Sequence, residues 1–413
     1  MVIIIYYILL VILYLQENCS RAEQLGSLPQ FELVFVMEYI RHGHRAPFKL
    51  LKGISENSGG VLPGELTEYG KKQLFLLGQK RRRIYIEEQK FLSSNFDPNE
   101  LLLLSTDYSR TAESLENLLH GMYPIMESDL YEELDYNEHL FSAIKDTKYE
   151  TILNQAIQDK CPSKPIIRIT NEIDKIMNYK SSTVLREFLT KDKFDIFKVE
   201  QEIVDIFGSV YTDKKKELQQ KYGVEIKNLR DFFDISDQII CEHSPVSPQN
   251  IFEYRMIVTY ILANNFKSSH DHFKSLYQYR IMKPLIDVLV NAKTLQKARR
   301  PLILKYIVHG LHDINLAQIL DFLDYFNQLG WQKIQPLDFA SSIRFELLQN
   351  NKEDDQFKIR VIYDDQIIDL YQKGELVDFE VFLKKFSDKL RENEDDLLQL
   401  INEDGQQGIQ KLD

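Results

Sequence analysis

Val34-Phe-Val-Met-Glu-Tyr-Ile-Arg-His-Gly-His-Arg-Ala-Pro47 begins as a run of high β-propensity. It ends abruptly in Arg41, His42, Gly43, His44 and Arg45, and Pro47 keeps the strand from simply continuing. In an open α/β sheet, the loop just past a strand's carboxyl end is where ligands bind. Gly43 lets the backbone fold closely there, and two arginines flanking a histidine offer forked donors suited to phosphate oxygens. The chemistry this suits is a phosphoryl site with His42 as nucleophile. The bland alternative is a basic corner between a strand and a loop.

Working outward, a polar Gly/Ser-rich loop (Ser55 to Gly64) leads into Leu66 to Tyr85. Leu66, Tyr69, Leu74, Leu77 and Ile84 recur at helical spacing, and Thr67 is placed to cap the helix. Leu101 to Leu104 reads as a short buried strand, followed by the turn-forming Ser105-Thr-Asp107 and a helix to about Met122. Pro301 to Val308 reads as a strong buried strand ending in His309-Gly-Leu-His-Asp313, with a helix from about Asn315 to Phe326. Phe339 to Leu348 and Phe357 to Tyr363 read as paired strands, and Val377 to Leu390 as a late helix. Between these α/β parts, residues 131–300 are charged and helical in pattern, as in Ser182 to Leu189 and Phe194 to Phe207, with few strand candidates. That stretch reads as a helical insertion or cap, and the last twenty residues as a polar, loosely ordered tail.

With 413 residues, 44% hydrophobic and 28% charged, the chain is long enough for one large domain with an insertion, or for two domains. A formal net charge of −12 argues against nucleic acid as a partner, so a basic motif in this acidic protein is a local feature. Lys80 to Arg83 and Lys214 to Lys216 read as solvated helix faces. Met1 to Leu15 carries no charge and is shorter than a bilayer span, so residues 1–22 read as a secretory signal, cut after Ala22 or after Ser20. The lack of a preceding Lys or Arg leaves an uncleaved anchor open. Past it, no stretch is apolar enough to cross a membrane. Cys161 and Cys241 remain after Cys19 leaves, and the sequence does not show that they meet. The sequon Asn18-Cys-Ser20 leaves with the signal, so the mature chain offers no N-glycosylation site.

The opening stretch resembles the signature of the histidine acid phosphatases, Arg-His-Gly-x-Arg-x-Pro, with all five fixed positions present. Leu66-Thr-x-x-Gly70-x-x-Gln73 is similar to the family's next helix start, and Ser105-x-x-x-x-Arg110-Thr to its third element. His312-Asp313 matches the second motif, at the same strand-to-helix junction. The resemblance runs from about residue 31 to 390. It implies an α/β fold: a central mixed, mostly parallel sheet flanked by helices, made of residues 31–130 and 301–390. A smaller all-helical cap is inserted at 131–300, and residues 391–413 trail as a tail. One departure is Ile314-Asn315, where the family usually has Thr after His-Asp; this puts the hydrogen bonding behind the pair in doubt. His-Asp in place of His-Ala-Glu sets the chain apart from the inositol-phosphate phosphatases.

The resemblance implies an acid phosphatase with His42 as nucleophile and Asp313 as acid, then base. Arg41, Arg45, Arg110 and His312 would hold the phosphate, without a cofactor. A model aspartate titrates near 3.9, so donation is expected to favour acid pH, in keeping with a secretory or lysosomal route. The partner expected is a phosphomonoester substrate; dimers are frequent in the family, and no stable membrane association is expected once the signal is gone. Two rivals remain at this stage. His42, His44, His309, His312 and Asp313 could hold zinc, although the adjacent arginines would repel it. The chain could also be a phosphate binder without turnover. Phosphotyrosine, sugar phosphates, lysophospholipids and nucleotide monophosphates all stay open as substrates.

Overall fold

The computed structural model describes residues 30–48, 61–124, 142–158, 166–169, 196–244, 247–264, 271–331, 333, 335–370, 374–390 and 393–401. The expected signal sequence, Cys161 and the expected helix over Ser182 to Leu189 lie outside them. The organising strand is β1, Phe31–Arg41, buried continuously from Val34. Burial on both faces is what a near-unbroken apolar run requires of a central strand. The other main strands are β2 (Leu101–Thr106), β3 (Ile166–Ile169), β4 (Tyr306–Leu311), β5 (Ser342–Asn350) and β6 (Phe357–Tyr363). Two short ones follow, β7 (Gln366–Ile367) and β8 (Val377–Asp378). The sheet runs β3-β2-β4-β1-β5-β6-β7, with β8 on β6. β3, β2, β4 and β1 pair in parallel, and β5 onward antiparallel, as the expected mixed sheet with a parallel core requires. β4 lies between β1 and β2, so three carboxyl ends come side by side.

Side chains alternate between the two faces. Val36, Ile40, Leu103 and Val308 pack with Leu74, Tyr85, Leu115 and Leu119 from helices Glu68–Arg81 and Ser109–Met122 and the π-helical turn Arg82–Glu88. Phe35, Met37, Leu104 and Ile307 face the helices Phe252–Ala263, Asp271–Lys297 and Asp313–Phe322. Thr67 caps its helix as expected, accepting from the Gly70 amide.

Five local expectations need correction. Lys80 to Arg83 is not one solvated face, since Arg81 is fully buried against Glu38. β4 starts at Tyr306 rather than Pro301; the Lys305 and Tyr306 amides share the Glu100 carbonyl where the chain enters the ladder. The helix after Asp313 stops at Phe322, where Asp324 takes a left-handed φ of 64°, and a short turn of helix follows at Tyr325–Leu329. The stretch 131–300 is not wholly helical, since it holds β3, whose four residues complete the sheet beside β2. Nor is the whole tail loose. Residues 394–401 are helical, Leu397 and Ile401 are buried, and Glu394 receives Lys148 and Arg280.

Candidate active site

The motif residues gather at the carboxyl edge formed by β1, β2 and β4. Gly43 closes the first turn: a Cβ there would stand 2.4 Å from the Gly70 carbonyl oxygen, so loop and helix touch backbone to backbone. The Gly43 amide donates to Ser114 Oγ at 3.0 Å, and the Thr67 amide to the His44 carbonyl at 3.0 Å. His42 is thereby fixed at the strand's end. Its Nδ1 lies 2.8 Å from the Gly43 carbonyl, which can only accept, so Nδ1 carries the proton. Burial, reinforced by Arg110, His312, Arg41 and Arg45, holds the ring well below the ordinary histidine value. A neutral ring protonated at Nδ1 has its lone pair at Nε2. That is the form a nucleophile needs.

The structure brings the other five expected residues around it. His312 sits ring edge to His42, 5.4 Å between centroids. Arg110 Nη2 donates to His312 Nδ1 at 3.3 Å, which leaves Nε2–H for Thr106 Oγ1 at 3.2 Å. Arg41 Nη2 reaches Asp313 Oδ2 at 2.7 Å and its Nη1 the Leu337 carbonyl at 3.3 Å. Burial raises the Asp313 carboxyl, but Arg41, Arg45 and His312 outweigh it, and the net shift is downward. Asn315 answers the doubt left by the departure from Thr: its Oδ1 accepts the His312 amide at 3.1 Å and its Nδ2 donates to Tyr277 Oη at 2.6 Å.

Several contributors went unseen in the sequence. The Phe339 ring lies against Arg41, 4.3 Å from its Cζ, and 6.0 Å from the His42 ring, while the Ala340 amide donates to the His42 carbonyl. Phe48 covers Arg45 at 4.0 Å, and Tyr108 covers Arg110 at 4.4 Å. Asp237, on the helix Leu229–His243, accepts Arg45 Nη2 at 2.8 and 3.0 Å. Nothing in the sequence marked Asp237, because an acid on a charged helix reads as a solvated face. Three guanidinium groups thus meet two carboxylates, Asp313 and Asp237, and the Nε of each arginine is buried without a partner. Unspent donors around a surplus positive charge suit an anion.

His44 and His309 lie apart from this arrangement. His44 is buried, its Nε2 2.5 Å from the Cys241 carbonyl, so it ties the loop to the helix Leu229–His243. His309 stacks on Tyr39 inside the sheet, with no partner for either nitrogen. Among the described residues, no three His, Cys, Asp or Glu side chains are grouped to hold a metal ion. Cys241 is a free, buried thiol, pushed up to about 12 by burial.

Comparison with known proteins agrees with the motifs. The human lysophosphatidic acid phosphatase type 6 is 24% identical over 312 residues, covering 72% of this chain and 60% of its own length. The mouse testicular acid phosphatase is 36% identical over 103 residues, 24% of each chain. Among solved structures, the D. castellii phytase superposes with a TM-score of 0.52 at 13% identity, covering 88% of this chain and 81% of its own. The Bifidobacterium longum multiple inositol polyphosphate phosphatase in complex with phosphate gives 0.52 at 12%, covering 84% and 90%. The match to the histidine phosphatase superfamily (branch 2) extends over residues 32–364, and with it the chain belongs to that family.

Proposed function

We propose that the protein hydrolyses phosphate monoesters through a phosphohistidine on His42. The observation that carries the reading is the Nδ1–H to Gly43 carbonyl bond, which bares Nε2 amid three arginines. Arg41, Arg45 and Arg110 hold the phosphoryl oxygens, and His312 joins them by exchanging the Thr106 partner of its Nε2–H for one of those oxygens, while His42 Nε2 attacks phosphorus in line. The N–P bond forms as the bond to the leaving oxygen breaks, and protonated Asp313 gives that oxygen its proton. Asp313, now a carboxylate, takes a proton from water as the water attacks phosphorus. The N–P bond breaks, phosphate leaves, and both residues return to their starting states. A neutral His42 remains nucleophilic at acid pH, where an ordinary histidine would be protonated.

The clamp reads phosphate and leaves the alcohol open. One relative, named for lysophosphatidic acid, falls in the lysophospholipid class. Residues 1–22 are proposed as a secretory signal on the strength of the uncharged Met1–Leu15 run, which N-terminal sequencing of the mature protein checks. The helices from Ile196 to Lys297, between β3 and β4, support reading most of 131–300 as a cap on the α/β core.

The test is hydrolysis of p-nitrophenyl phosphate across pH, with and without EDTA, beside His42→Ala. Wild type is expected to turn over at acid pH despite EDTA and to give an acid-labile phosphoenzyme on rapid quench. The variant is expected to lose on the order of 10⁴-fold or more. EDTA-sensitive turnover would move the assignment to a metal-activated water, and phosphate binding without turnover to a binder.

A further inference from the structure

The helix Leu229–His243 reaches the site with one stripe of side chains. Asp237, Cys241 and Ser244 follow at i, i+4 and i+7, the spacing that stacks residues on one helix face, with Ser244 as its C-terminal cap. Each meets the signature loop or its support. Asp237 accepts Arg45 Nη2 with both oxygens. Cys241 receives Arg45 Nη1 on its sulfur at 3.3 Å and the His44 ring on its carbonyl. Ser244 Oγ receives Arg255 Nη2 at 2.8 Å, and Arg255 Nη1 donates to Asp338 Oδ2 at 2.6 Å, beside the Phe339 platform.

The carboxylate is the feature that needs an explanation. A pocket shaped only to attract an anion would have no use for a negative charge against one of its three cations, since that charge weakens the attraction. What Asp237 supplies is direction. Two bonds fix Nη2, the Cys241 sulfur and the Ala46 carbonyl (3.2 Å) engage Nη1, and Phe48 lies over the guanidinium face. The plane of the group is then set before substrate arrives, and Nε is the one nitrogen left unspent.

We propose that Asp237 is a positioning residue for phosphate binding, holding the Arg45 guanidinium in the orientation that receives a phosphoryl oxygen. Through it, a helix far along the chain from the signature motif sets the affinity of the phosphate site. The inference rests on the phosphomonoesterase reading for its meaning in catalysis, but its test reads phosphate binding directly.

The experiment is calorimetric titration of inorganic phosphate into the full chain, alongside steady-state kinetics on p-nitrophenyl phosphate. Asp237→Ala is expected to weaken phosphate binding roughly tenfold and raise KM by a like factor, leaving kcat within about twofold, the pattern of lost uniform binding. Asp237→Asn retains one acceptor oxygen and is expected to lose about threefold; it carries the test if the alanine variant does not fold. In an Arg45→Ala background, adding Asp237→Ala is expected to change phosphate affinity no further. Tighter or unchanged phosphate binding in the Asp237 variants overturns the proposal, because removal of a mere neighbouring charge would help an anion. Additive losses in the double variant overturn it as well. A wild type that binds phosphate without hydrolysing it sinks the phosphatase reading while leaving this comparison intact.

Discussion

Two buried clusters in this molecule have the same composition and opposite meanings. Between the sheet and the helix Glu68–Arg81, Arg81, Arg344 and Arg360 meet Glu38 and Glu346; at the sheet's carboxyl edge, Arg41, Arg45 and Arg110 meet Asp313 and Asp237. In the interior layer, Arg81 Nε spans both Glu38 oxygens at 3.0 Å, its Nη2 adds Ser342 Oγ at 2.9 Å, and Tyr306 donates to the same carboxylate. Tyr85 donates to Glu346 at 2.6 Å and accepts from Arg344 at 3.1 Å. Burial opposes the charge on Arg81 and Arg344, yet both rise above the ordinary arginine value because carboxylates and tyrosines lie against them. At the edge, burial likewise opposes Arg110, but there Arg45 adds to the effect and pulls it down to about 10. Its one recorded hydrogen-bond partner is a neutral imidazole nitrogen. Equal counts of charge therefore do not distinguish a structural cluster from a binding one. What distinguishes them is whether the last arginine has been given a carboxylate: Arg344 and Arg360 share Glu346, whereas Arg110 has only the His312 ring.

Substitution separates the two directly. Arg81→Ala strands Glu38 in the sheet and is expected to cost about 3–5 kcal/mol of stability, read by denaturant unfolding. Arg110→Met is expected to leave the unfolding midpoint where it is, or raise it, while phosphate affinity falls on the order of tenfold to a hundredfold. Matching stability losses in both variants would break the distinction.

Acid sharpens it further. The carboxyl of Asp313 is held low, so above its pKa the protonated fraction falls tenfold per pH unit. kcat/KM for a poor alcohol leaving group is expected to fall about a hundredfold between pH 5 and 7. A flat profile over that range would remove Asp313 as the acid.

The effect most gradual with pH concerns a histidine in neither cluster. His309, with both nitrogens unpartnered, is pushed down to about 3 by burial. The unfolded chain binds a proton near 6.5 that the folded one refuses, so stability is lost as pH falls from 6.5 toward 3. His309→Phe is expected to flatten that loss by up to about 1.4 kcal/mol per pH unit, seen as a shallower dependence of Tm on pH. An unchanged slope would mean that the site is not dry.

The sequence disclosed the parts whose chemistry is local. Arg41 to Arg45, Arg110 and His312-Asp313 each follow a strand and carry turn-forming neighbours, so motif and placement agreed. The six expected site residues do converge. What stayed hidden is made by tertiary contact alone. Asp237 and Phe339 have no motif; they acquire a role because a helix and a loop remote in sequence fold against the signature. β3 was missed because Ile-Ile-Arg-Ile is too short to show a period. The helical turns at 394–401 were missed because Leu397 and Ile401 are sparse among acids, and only packing shows that they are buried.

The pairing of β1 also has a bearing on how the chain is made. Both of its sheet neighbours, β4 and β5, lie beyond residue 305, and Arg41 stands 272 positions before Asp313. A ribosome adding ~5–20 residues per second needs roughly 15–55 s to cover that distance. During that interval a strand apolar on both faces has neither edge paired, which is the condition that invites association with other chains. Chaperone protection is accordingly most valuable early in synthesis. A nascent chain truncated before residue 313 carries His42 and the three arginines, but lacks Asp313.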